Sequence, residues 1–197
     1  MTEIGSNAFE GCSGLKRVTL PDGVKTIKDH AFGDCKELTE VTIPASVTEI
    51  GYVNGCTSLT AVSIPGSVKR IEWWAFGGCS GLNAVYWLAD AYCGVWESSF
   101  DEIASPATLY MRKGEKAAIE GSERAWWSKF TIVEGYVVTF QDKDGNKLGE
   151  QLVKPNGTVT ESVAPIKKGF ALVEWQLKGE KYDFSTPVTK DITLVAK

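Results

Sequence analysis

The sequence predicts a mainly β protein in two parts: a solenoid of stacked repeats closed by a C-terminal helical cap, then a small β module. Three observations carry this. Cys12, Cys35, Cys56 and Cys79 recur at spacings of 23, 21 and 23 residues, each followed three positions later by Leu. Pro21, Pro44 and Pro65 end the apolar run of successive repeats. From Tyr136 onward this repeat stops and apolar residues alternate with polar ones.

Each repeat supplies a strand at Leu-x2-Val-x-[Ile/Leu]. Leu15, Leu38, Leu59 and Leu82 hold one column, and Val18, Val41, Val62 and Val85 another. A period of about 20–29 residues with that phrase inside is the leucine-rich-repeat pattern. Side chains alternate along a strand, so Val18 and Leu20 face inward while Arg17 and Thr19 face out. Proline cannot donate to a strand ladder, so it terminates each strand. The Val24-x2-Ile27 step and its equivalents give a second inward run, and Ala31-Phe32 packs a turn beneath the next rung. The four column cysteines are expected to be buried and unbridged, stacked as small apolar residues. Cys93 lies off the column and is the candidate reactive thiol, or the partner of Cys79 in a bridge.

The second boundary is irregular. Ile50 reaches Cys56 in six residues where Ile27 reaches Cys35 in eight. Val53 takes the Phe column there, with Tyr52 as a filler of the thinned wall. After Trp87 the pattern decays. Ser99-Phe100 reads as a worn Ala-Phe step, 108–112 as the last strand, and 114–129 as the capping helix, with Ala117, Ala118 and Ile119 on its apolar side. Trp126 and Trp127 are read as cap packing, and Gly135 as the boundary between domains. In the second part, Val138 and Phe140 alternate against Val137, Thr139 and Gln141. Asp144-Gly145 and Asn156-Gly157 are turn signals. Residues 190–196 form a closing strand.

The repeated phrase, Gly14 to Phe32, resembles the BspA-like subclass of leucine-rich repeats, and the resemblance covers residues 1–134 including a closing segment at 106–134. Residues 136–197 resemble the Listeria–Bacteroides repeat, through Gly169-Phe170-Ala171-Leu172 leading to Trp175 and through 182–189. Glu174 departs from that family's usual Gly before the Trp. The resemblance implies domains at 1–134 and 135–197, the second of β-grasp-like fold. It also implies a bacterial cell-surface or secreted protein that adheres to a host or neighbouring-cell surface protein, matrix protein or glycoprotein.

The net charge of −4 argues against a nucleic-acid partner. Residues 1–134 carry 12 basic and 17 acidic side chains and residues 135–197 carry 9 and 8, so the acidity sits in the repeats. No apolar run approaches the roughly 18 residues of a membrane span. Thr2-Glu3-Ile4 matches Thr48-Glu49-Ile50 with no rung before it, so the chain is expected to open inside a longer repeat array. No secretory leader follows Met1.

No catalytic set is expected, and no cofactor or metal. His30 is the single histidine and aligns with Trp74, as a variable turn position would. Asp142-Lys-Asp144-Gly-Asn146 has the look of a calcium loop, but a tight hairpin explains it without the further ligands such loops need. The binding residues expected are Arg17, Thr19, Glu40, Thr42, Ser63 and Tyr86 on the exposed strand face, with Ala61 and Ala84 between them. Trp73 and Trp74 join them, either as an interaction spot or as a cover for the irregular region after Trp87. Two other roles stay open: a stalk that binds nothing, and a binding appendage of a larger secreted enzyme.

Overall fold

The computed structural model describes residues 1–89, 93–121, 125–160 and 174–197. Two parallel ladders flank one core. The first ladder stacks five two-residue strands: β1 (Glu3–Ile4), β3 (Thr26–Ile27), β5 (Glu49–Ile50), β7 (Arg70–Ile71) and β9 (Gly94–Val95). The second contains β2 (Arg17–Thr19), β4 (Glu40–Thr42), β6 (Ala61–Ile64), β8 (Ala84–Trp87), β10 (Ala107–Arg112) and β11 (Phe130–Gln141). β2 pairs with β4, and β6, β8, β10 and β11 pair in succession. No strand pairing joins β4 to β6, at the 21-residue step that the shortened repeat creates.

The sequence columns become physical columns. Ile4, Ile27, Ile50, Ile71 and Val95 are buried one above the next along the first ladder. Ile43, Ile64, Trp87 and Met111 do the same along the second. After β2, β4 and β6 the proline carbonyl accepts the amide three residues on, Val24 to Pro21 at 3.3 Å, Val47 to Pro44 at 3.0 Å and Val68 to Pro65 at 3.1 Å. The proline thus ends the strand and closes a turn with one peptide group. Phe9 stacks on Phe32 and Phe76 on Phe100, each pair with centroids 5.3 Å apart. Val53 keeps its place between Phe32 and Phe76 and is buried, but Tyr52 does not fill the wall. It lies outside, against His30.

Outer faces carry ion pairs in strand register. Glu49 faces Arg70 at 3.2 Å and Arg17 faces Glu40 at 3.3 Å. Both pairs are exposed, so each adds about 0.2–1 kcal/mol at most and fixes position more than stability.

Beyond Trp87 the ladders continue although the motif has worn away. β9 extends the first ladder, Ser99 and Phe100 are fully buried, and Phe76 N–H donates to the Ser99 carbonyl at 2.8 Å. β10 is not the last strand, because β11 pairs beside it from Ala107↔Phe130 to Arg112↔Gly135. The expected 114–129 helix is one short turn, α1 (Lys116–Glu120), then a 3-10 turn at Ala125–Lys129. Gly114 has φ +87 and donates its N–H to Glu134 at 2.8 Å, a turn geometry that starts the helix late. Ala117 and Ala118 are exposed and only Ile119 of the expected apolar side is buried. Trp126 closes this end instead, packed on Trp87 at 4.7 Å, Phe100 at 5.9 Å and Phe130 at 6.3 Å. Trp127 is half-buried beside it.

β11 runs twelve residues without interruption through Gly135. Its first half belongs to the ladder. Its second half pairs antiparallel with β12 (Lys147–Val153) and parallel with β15 (Ile192–Ala196). β13 (Trp175–Leu177) pairs with β15 and with β14 (Glu180–Lys181). Val138, Phe140, Trp175, Tyr182 and Leu194 form a second core, with Phe140 edge-on to Trp175 at 4.9 Å. The Asp144-Gly145 hairpin forms as expected. Asn156 turns the chain at φ +59, but among the described residues the segment after it makes only one bridge, Thr158 to Pro187. The 169–172 motif lies outside the described residues. Arg112 of β10 meets Glu150 of β12 at 3.3 Å, and Lys147 meets the same carboxylate at 2.8 Å.

Candidate functional site

The cysteine column behaves as expected with one correction. Cys35, Cys56 and Cys79 are buried, and each thiol donates to a carbonyl of the preceding rung: Phe9 at 3.1 Å, Phe32 at 3.2 Å and Val53 at 3.3 Å. Cys12, on the first described rung, is exposed. No disulfide joins the five cysteines. Burial and the neighbouring Cys56 raise the Cys35 thiol to about 11. Cys56 is raised as well, by its hydrogen bond with Cys79 and by burial. These two therefore stay protonated and unreactive at neutral pH. In native protein a thiol reagent should modify Cys12 first and half-buried Cys93 more slowly. Cys35, Cys56 and Cys79 should react only on unfolding, and mass spectrometry of the timed products would show whether any of the three reacts earlier.

The expected strand-face residues divide into two groups. Arg17, Thr19, Glu40 and Thr42 stand exposed on β2 and β4, with Arg17 and Glu40 neutralising one another. Ser63 and Tyr86 stand farther along, in a cleft of about 270 Å³ whose other wall is β12 and the turn after it. Ala61 and Ala84 are half-buried. The strand face is therefore open at the early rungs and walled at the later ones.

Trp73 is 56% exposed, and Trp74 is half-buried in a left-handed conformation at φ +61. A Cβ at Gly77 would come within 2.3 Å of the Trp74 indole, so that ring lies down on the glycine backbone and Trp73 is left standing in solvent. Among the described residues, the ring packed on Trp87 is Trp126. Both tryptophans follow β7, in the ladder that does not carry Tyr86, so the two expected surfaces belong to different sides of the rungs.

The structure adds His30 and Tyr52, which the sequence placed at a variable turn and in the wall, to the two tryptophans. His30 and Tyr52 rings lie 4.8 Å apart, Tyr52 and Trp73 6.4 Å, and Trp73 and Trp74 6.0 Å. Together they form an aromatic ridge over three consecutive turns. A positional signal existed: Asp29-His30, Tyr52 and Trp73-Trp74 all begin two residues after the column isoleucines Ile27, Ile50 and Ile71. His30 Nδ1 lies 3.1 Å from Asn54 Oδ1, which fixes the ring against Tyr52. Burial, then the Asp29 and Glu72 carboxylates, push the Tyr52 phenol up from its usual value. The hydroxyl thus stays a donor. The described contacts of His30 are thus Tyr52 and Asn54.

At the Asp144-Gly145 hairpin the Asp142 carboxylate accepts the N–H groups of Asp144 at 2.9 Å and Asn146 at 2.8 Å, together with the Asn146 side-chain amide at 2.8 Å. That is a side-chain-closed turn. No helix of the described residues is long and apolar enough to cross a membrane.

Comparison with known proteins agrees with this architecture. Residues 1–93 match the BspA type leucine rich repeat region in six copies, and residues 136–197 match the Listeria-Bacteroides repeat domain. A leucine rich cell surface protein from Faecalibacterium prausnitzii A2-165 is 25% identical with a TM-score of 0.53, over 66% of this chain and 32% of that one. The chain thus spans about a third of that protein's length. The leucine rich repeat protein of T. pallidum is 28% identical, with a TM-score of 0.48 over 56% of this chain and 52% of that one. A leucine-rich repeat protein from Bacteroides ovatus ATCC 8483 is 18% identical, with a TM-score of 0.32 over 72% and 48%. No curated protein matches the chain. The chain joins a BspA-type leucine-rich-repeat region, residues 1–93, to a Listeria–Bacteroides repeat domain, residues 136–197.

Proposed function

We propose that this chain is a non-catalytic interaction segment of a cell-surface or secreted bacterial protein, and that it binds a host or neighbouring-cell protein or glycoprotein through the ridge His30–Tyr52–Trp73–Trp74. In this reading the stacked rungs are a solenoid capped at Trp126, and the β-grasp-like module at its end spaces or anchors it. The observation that carries the reading is Trp73, a large apolar ring left 56% in solvent at the crest of a row of aromatic contacts. Tryptophan and tyrosine dominate the residues on which interfaces depend. A surface location is supported by the Faecalibacterium protein, which is described as a cell surface protein. The small polar strand face at Thr19 and Thr42 offers less contact area. Pulldown from mucus and extracellular matrix with the wild-type chain should capture a ligand that the folded Trp73→Ala variant fails to capture. Equal capture by both would remove the ridge from the account.

A further inference from the structure

The cleft between the second ladder and β12 has a chemistry distinct from the ridge. Ser63, Tyr86 and Tyr110 stand in register on β6, β8 and β10. In-register side chains on neighbouring strands stack about 4.8 Å apart, and the Tyr86 and Tyr110 rings do so, with centroids 4.8 Å apart and planes 13° from parallel. Tyr110 therefore covers one face of Tyr86. The position over the other face belongs to Ser63, whose hydroxymethyl is too short to cover a ring. Ser63 and Tyr86 both line the cleft. Burial, then Tyr110, raise the Tyr86 phenol, so its hydroxyl remains a donor.

The facing wall supplies Gln151, Lys154, Thr158 and Thr160. Gln151 Oε1 accepts the Thr160 N–H at 3.2 Å, which fixes the amide's orientation. We propose that this cleft is a saccharide-binding site in which one sugar ring lies on the open face of Tyr86. The apolar C–H face of a pyranose suits the electron-rich face of an aromatic ring. Its rim of hydroxyls suits a wall of serine, threonine and glutamine side chains, which both donate and accept. The cleft's 270 Å³ falls just below the roughly 300–1,000 Å³ of drug-sized sites, so it takes a ring or two and not a long chain. Lys154 is the charged side chain of the wall and gives a carboxylated sugar an extra partner. The site does not depend on the ridge.

The test is calorimetric titration of the full chain with cellotriose, triacetylchitotriose, N-acetyllactosamine and 3′-sialyllactose. At least one should bind with a Kd of about 1 mM or tighter. Tyr86→Ala removes the platform, and Ser63→Tyr continues the ring stack and covers the open face. Each should weaken binding about tenfold or more, while Trp73→Ala leaves it unchanged. Thermal unfolding of Ser63→Tyr close to wild type separates blocking from misfolding. Selectivity for sialyllactose would assign the role of Lys154, and binding of the neutral sugars would assign recognition to stacking alone. Failure of all four sugars to bind, or binding that survives both substitutions, would overturn the proposal. So would binding of an extended Val-Thr peptide along β12 in their place.

Discussion

Phe100→Ala should destabilise the protein by about 3–5 kcal/mol. Phe100 is fully buried and meets three rings at once, Phe76 at 5.3 Å, Trp126 at 5.9 Å and Phe130 at 5.4 Å. Truncation would open a cavity where the last rung, the closing turn and β11 converge. Close packing gives these neighbours little room to collapse into it. Urea unfolding followed by tryptophan fluorescence would report the change, since Trp126 sits on the lost ring. A loss under about 0.5 kcal/mol, the range of ordinary surface substitutions, would mean that the rungs end before Phe100.

Gly135→Ala comes next, at about 1–3 kcal/mol. Gly135 lies in the middle of β11, and a Cβ there would meet the Val153 carbonyl at 2.5 Å. The obstacle is backbone, so the two strands must part where β11 passes from the ladder to β12. Hydrogen exchange should show faster exchange in 136–141 and 147–153, with the early rungs unchanged. Unchanged exchange in β12 would show that the strands absorb the methyl.

These two residues also show what the sequence made legible. The columns of Leu, Val, Ile, Cys and Pro are legible because every rung repeats the same burial problem, so the solution repeats with it. Phe100 was readable only as a worn copy. A rung needs an inward apolar residue and a strand to pair with, and these outlast the motif; β9, β10 and β11 therefore extend past Trp87. Gly135 was read as the boundary between domains, and its close approach to the Val153 carbonyl is a demand that local sequence does not show. Cys12 was misplaced because column logic gives every rung the same surroundings, whereas the Cys12 thiol lacks the carbonyl contact that Cys35, Cys56 and Cys79 make. The helix over 114–129 shrank to one turn because packing of Trp126 on Trp87 decides that region more than helical periodicity does. The cleft at Tyr86 needed the path of β12, which local sequence does not specify. Tyr52 was hidden by the short repeat, which shifts it out of alignment while leaving its offset from Ile50 intact; His30 was aligned with Trp74 but read as a variable turn position.

The ridge is the central claim. The measurement that tests it most directly is the Kd of the captured ligand for the wild-type chain, Trp73→Ala and Thr42→Ala, each first checked for native thermal unfolding. Trp73→Ala should weaken binding by about 30-fold, the loss of roughly 2 kcal/mol that marks a central interface residue, and Thr42→Ala should change it little. An unchanged Kd for Trp73→Ala would contradict the ridge and leave the rungs as a stalk.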